Sequence, residues 1–245
     1  MPVACSLYDL TNGFNTQQVY QDLQGFETTV DDENANDLIH SDLVGNVDSD
    51  EFELKITTTA LNRQGGMLRC TIEYDTLKPR GHRAHERPWY KDVERFVVQF
   101  SDGLFEDGGF VILGSKSKRA SAMLHLQEVL DLSPNDYERR DIPTGVIEDI
   151  VETDSKDSKT RTVEDYDEYT ETASASGRLN EMGSLGNDLE DRGNTTWEMF
   201  ESMDYDGVLG ISTETVVFYG NIWEEETRIE YLENKITPKI LETID

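Results

Sequence analysis

Apolar and polar positions alternate with two periods along this chain, and each change of period marks a new predicted element. Val3 to Leu10 is a short apolar run that predicts a strand, and Thr11-Asn12-Gly13 predicts a turn after it. Asn15 or Thr16 then caps a helix on which Val19, Tyr20 and Leu23 share one face, with Gly25 as its stop. Phe26 to Val30 alternates as a strand. Asp31 to Asp50 is acidic and rich in asparagine, with Leu38, Ile39, Leu43 and Val44 to hold it down. Phe52, Leu54 and Ile56, and beyond Asn62 to Gly66 the set Leu68, Cys70, Ile72 and Tyr74, alternate with polar neighbours. That pattern predicts a hairpin with one buried and one wet face.

Phe96, Val98 and Phe100 predict a further strand, and Phe110 to Leu113 another, which Gly114 breaks. Ser117 is the expected N-cap of a helix whose Met123, Leu126 and Leu130 line one side, and Ser133-Pro134-Asn135 ends it. Tyr137 to Val151 alternates weakly and predicts one or two strands. Asp154 to Arg192 is poor in apolar residues and predicts a long surface insertion, with a short helix around Leu185 and Leu189. Trp197, Met199 and Phe200 restore the strand pattern, and Val208 to Val217 predicts a hairpin about Ser212-Thr213-Glu214. Thr215 to Phe218 then leads to Gly220 and a helix with Ile229, Leu232 and Ile236 on one side. Counted from Gly114 and from Gly220, the apolar positions of the two helices fall at the same offsets. A duplicated strand-glycine-helix unit explains this, as does the common phasing of any such unit. The expected organisation is α+β, with a first repeat over residues 1–133 and a second over 134–245 that carries the insertion 154–192.

Composition changes the picture through charge. Among 245 residues, 51 are Asp or Glu and 22 are Lys or Arg, a formal net charge of −29 spread along the whole length. Such a spread fits a halophilic protein, whose carboxylates stay hydrated and mutually screened in molar salt. A mimic of nucleic-acid charge is the competing explanation, and folding in low salt separates the two. Cys5 and Cys70, the two cysteines, are too few for a metal cluster and need no oxidising compartment. No run of 18 apolar residues is present, so a cytoplasmic protein with no membrane partner is expected. A nucleophile elbow, a P-loop and a dinucleotide-binding glycine pattern are all missing, which points to a non-catalytic protein without a cofactor.

Two stretches reverse the local charge. Lys78 to Lys91 holds Lys78, Arg80, Arg83, Arg87 and Lys91, with Trp89 and Tyr90 beside them for stacking. It reads either as a clamp for phosphate or as a loop whose arginines pair with the chain's own carboxylates. His82 and His85 lie there too, but a loop bounded by Gly and Pro does not set the helical spacing that makes a metal site. Lys116, Lys118 and Arg119 place cations at a helix start, where the dipole prefers acids; with the exposed backbone N–H groups they form a candidate anion site. The second helix start instead has Asn221 followed by Glu224, a conventional cap.

Phe96 to Gly103, FVVQFSDG, followed by Phe110 to Ser117, FVILGSKS, resembles the repeat of archaeal TATA-box-binding proteins. Val208 to Gly220 fits the same frame in the second half. The resemblance implies a saddle: one curved antiparallel sheet with helices on its convex face, whose concave face grips a widened minor groove with phenylalanine wedges. Phe100 would then be a wedge, and Lys116 would lie at the end of an edge strand. An acidic insertion in the first hairpin, Leu104 to Gly108, and the presence of Ile211 where the family has phenylalanine depart from that pattern. The expected partner is duplex DNA at high salt, in a transcription-associated role; a protein partner, for a subunit that keeps the fold without binding DNA, is the alternative.

Overall fold

A computed structural model describes residues 2–11, 15–29, 54–79, 89–165, 170–182, 189 and 193–244. The expected turn at Asn12-Gly13, the acidic stretch Asp31–Asp50 and Leu185 lie outside them. The protein is mixed α+β, and its strands pair antiparallel in two compact units. An N-terminal unit comprises Leu10–Asp102 and Asp107–Glu138; a C-terminal unit comprises Met1–Asp9, Gly103–Glu106 and Arg139–Asp245. Strand β1 (Val3–Leu10) therefore belongs almost wholly to the C-terminal unit, as do Leu104 and Phe105, both buried.

In the N-terminal unit, α1 (Thr16–Leu23) starts where Asn15 Oδ1 accepts the Gln18 N–H at 2.9 Å. Asp102 adds a second cap, accepting from the Thr16 N–H and hydroxyl. Gly25, at φ +72°, ends the helix in the left-handed region that glycine tolerates. Strands β2 (Glu27–Thr29), β3 (Lys55–Gln64), β4 (Met67–Pro79), β5 (Trp89–Ser101) and β6 (Gly109–Leu113) pair in that order. Helix α2 (Lys116–Leu130) follows Gly114, which turns the chain at φ +144°, and its N-cap position is Ser115, two residues before the expected Ser117. Ile56, Leu68, Cys70, Ile72, Phe96, Val98, Phe100, Phe110 and Ile112 face the helices and are buried, as alternation predicts. His125 of α2 is buried among them. It lies on Tyr74 with ring centroids 3.8 Å apart, and its Nδ1 has no hydrogen-bond partner.

Strand β7 (Tyr137–Arg140) comes next, and Arg140 of the C-terminal unit clamps Asp9 of β1, Nη2 to Oδ2 2.7 Å. The rest of the stretch read as strand is helix α3 (Thr144–Asp154). Val146, Ile147, Ile150 and Val151 are β-branched, which misled the reading, yet their spacing is that of one buried helical face. Asp154–Arg192, expected as an insertion, contains β8 (Ser155–Glu164) and β9 (Thr172–Ser176), followed by a 3₁₀ turn, Leu179–Glu181. Strands β10 (Asn194–Ser202), β11 (Val208–Ser212) and β12 (Thr215–Tyr219) complete a sheet of order β1-β12-β11-β10-β8-β9. The long helix after Gly220 begins as α4 (Glu225–Tyr231), passes through a π-helical segment, Leu232–Ile236, and continues as α5 (Thr237–Glu242). Pro238 lacks the N–H that would return to the preceding turn, and the wider π turn absorbs that loss. Phe218 packs on Trp223 and Tyr231, which places the helix over the Phe200, Leu209, Ile211, Val216 and Phe218 side of the sheet.

On the opposite side of that sheet, register aligns two uncharged rows. Ala4, Val217, Gly210, Met199, Thr160 and Ser176 are successive cross-strand partners. Thr215, Ser212, Trp197, Thr162 and Ser174 form the neighbouring row. A charged border follows, where Lys156 and Lys159 both pair with Glu201.

Candidate nucleic-acid interface

The basic stretch Lys78–Lys91 is carried by the longest pairing in the N-terminal unit. Strands β4 and β5 run together from Met67↔Ser101 to Pro79↔Trp89. Among the described residues the flanking strands stop early: β3 reaches β4 only as far as Ile56↔Tyr74, and β6 reaches β5 only as far as Val97↔Leu113. Asp75 to Pro79 and Trp89 to Val93 therefore continue as a two-stranded ribbon. At about 3.4 Å per residue it is roughly 17 Å long. Its ends are joined in sequence by residues 80–88, which lie outside the described residues and include Arg80, Arg83 and Arg87. A loop was expected over the whole of 78–91; its two ends are instead strand.

The base of the ribbon is fixed by carboxylates. Asp75 Oδ2 accepts the Lys55 backbone N–H and the Lys91 ammonium, each at 2.9 Å. The Tyr74 hydroxyl donates to Glu94 at 3.1 Å. From Lys78 to Lys91 the chain has five Lys or Arg and a single acid, Glu86, in a protein of net charge −29. Trp89 sits on β5 opposite Pro79. A ribbon of two strands is in general narrow enough to enter a DNA groove about 12 Å wide.

The other expected site residues lie elsewhere. Phe100 is 1% exposed and packs on Phe110, ring centroids 5.4 Å apart, beneath the helices. It stands in the same strand phase as Phe96 and Val98, so it serves the core and presents no ring to a base step; the wedge expectation is corrected on this point. Arg119 is buried and donates from Nη1 to the Gly114 carbonyl at 2.5 Å, bracing the strand-to-helix turn instead of facing an anion. Lys118 is exposed on the first turn of α2, and Lys116 opens that helix.

Among the described residues, no cluster of three His, Cys, Asp or Glu is arranged to hold a metal ion. Cys5 and Cys70 are buried free thiols, and burial pushes the Cys70 thiol up to about 12, which keeps it protonated and unreactive. No described helix is long and apolar enough to cross a membrane. The ribbon itself was not legible beforehand, because alternation shows that β4 and β5 exist but not where their neighbours stop. No protein-family model matches the chain, and no curated protein matches it significantly.

Proposed function

We propose that this chain is a non-catalytic DNA-binding protein of a halophile, transcription-associated and built on a duplicated fold of the TATA-box-binding type, which contacts duplex DNA through the basic ribbon. The observation that carries the reading is the extension of β4 and β5 beyond their neighbours, with Lys78, Arg80, Arg83, Arg87 and Lys91 on or beyond it. Duplication is supported by the order of elements among the described residues: β2–β6 lie between α1 and α2, and β8–β12 between α3 and α4. In each unit the helices pack on one side of the sheet.

Fluorescence anisotropy with AT-rich and mixed duplexes in molar KCl tests the proposal. The triple change Arg80→Glu, Arg83→Glu, Arg87→Glu should weaken binding at least ~100-fold and flatten the log–log salt slope by about 3, since each phosphate contact contributes about 0.9. Absence of binding to either duplex, or binding untouched by the triple change, overturns it. The second reading is a protein-interaction subunit that keeps the fold without the DNA contact. The burial of Phe100 and the internal use of Arg119 favour it, and a stable partner retained through nuclease treatment would select it.

A further inference from the structure

Among the described residues the ribbon of β4 and β5 outruns the strands that flank it, and two strands alone hold together only marginally in water. At its root one carboxylate reaches both neighbours. Continuing the register Ile56↔Tyr74 by one residue sets Lys55 opposite Asp75, and there the Lys55 N–H donates to the Asp75 side chain, at 2.9 Å from Oδ2. The same oxygen accepts from Lys91 Nζ at 2.9 Å. Lys91 stands opposite Leu77, two residues from Val93, the partner of Asp75, so this ion pair runs diagonally across the two strands. One side chain of β4 thus ties β3 and β5 together where the ribbon leaves the sheet. The Asp75 side chain is 10% exposed and that of Lys91 43%, so the acid is sunk at the root and the cation reaches back to it. Resting on the DNA reading above, we propose that Asp75 and Lys91 are positioning residues, which together aim the ribbon at duplex DNA, with the Lys91 charge held by Asp75 and by no phosphate.

Charge alone predicts the reverse. An acid among the cations of a DNA-contacting element repels phosphate, so its removal would tighten binding. A released Lys91 would then add a phosphate contact and steepen the log–log salt slope by about 0.9. In molar salt, however, the Debye length is about 3 Å and that repulsion is almost wholly screened, whereas partly buried contacts at hydrogen-bond distance persist. What remains of Asp75 is mechanical. It orders the ribbon before DNA arrives, so that the cost of ordering does not fall on the binding step.

Anisotropy with the same duplexes in molar KCl, together with hydrogen exchange of the whole chain without DNA, tests the proposal. Asp75→Asn keeps an oxygen for the Lys55 N–H and should weaken binding about 3-fold; Asp75→Ala loses both ties and should weaken it about 10-fold. Lys91→Met should weaken binding about 3-fold with the salt slope unchanged, and should add nothing to the loss in Asp75→Ala. Without DNA, Asp75→Ala should speed exchange at least ~10-fold at the protected amides of residues 76–78 and 89–93. Protection of residues 96–100 of β5 checks that the unit is folded; if Asp75→Ala loses it, Asp75→Asn and Lys91→Met carry the same comparison. With wild-type binding established, the proposal is overturned if removing the Asp75 charge leaves binding unchanged or tightens it, if Lys91→Met flattens the slope by about 0.9, or if exchange in the ribbon does not change. Failure of the wild-type chain to bind either duplex is a different result: it overturns the DNA reading and takes this inference with it.

Discussion

The two units fasten helices to sheet by opposite means. In the N-terminal unit the contact is mainly apolar, and His125 sits neutral in it between Tyr74 and Phe96. In the C-terminal unit the contact is threaded with charge. Asp154, fully buried at the last turn of α3, accepts from the Tyr231 hydroxyl at 2.9 Å and from the Ser202 hydroxyl at 3.0 Å. Glu198, also fully buried, takes both a bidentate Arg161 and the Ser158 hydroxyl. A helix C-terminus repels a carboxylate, so Asp154 stands where its hydrogen bonds outweigh an unfavourable dipole. The lesson is that one architecture tolerates either a forgiving, area-driven core or an exacting one in which each polar partner must be present.

Breaking the exacting core should cost most. Glu198→Ala removes the carboxylate that Arg161 and Ser158 face, and about 4 kcal/mol of stability should go with it in chemical denaturation. Replacing Glu198 and Arg161 together with methionine should recover most of that loss, because the desolvation of both charges disappears as well. Asp154→Ala strands the buried hydroxyls of Tyr231 and Ser202 and should cost about 3 kcal/mol, read by the emission of Trp223, whose ring packs on Tyr231.

Acid should sharpen the contrast from the other side. Burial lowers the His125 pKa from 6.5 to about 4, so the folded unit holds the ring neutral while the unfolded chain takes up its proton. Stability from this source is whole above pH 6.5 and is lost as pH falls toward 4, about 2–3 kcal/mol in all. Hydrogen exchange should show amides of α2 and β4 losing protection over that window, and His125→Phe should remove the slope. The smallest effect concerns a surface cap: Asn15→Ala should cost about 1 kcal/mol, confined to exchange in α1.

Legibility in the sequence followed how much apolar signal each element carried. Strands β4, β5 and β6 and helix α2 were plain, since each presents three or more large apolar residues in one phase. Helix α3 was misread because Val146, Ile147, Ile150 and Val151 favour strands by residue type while their spacing is helical. Strands β8 and β9 were taken for an insertion because Ser, Thr and Lys dominate them, and only Val163 and Ala175 supply buried apolar anchors. For the site, Phe100 shows the limit of carrying a role over by motif. Its register with Val98 and Phe96 was visible in the sequence, but the side of the sheet that the helices cover was not.

Strand β1 has one of its partners more than two hundred residues away, in the pairing of Val3 with Phe218 and Cys5 with Val216. At roughly 5–20 residues per second of synthesis, β1 waits about 10–40 s on the ribosome before β12 exists to receive it. During that interval β1 can pair with β7 but lacks β12, so the sheet of the C-terminal unit is incomplete. A product that stops before β12 therefore leaves one edge of β1 open, and an open strand edge is a feature that quality control can recognise.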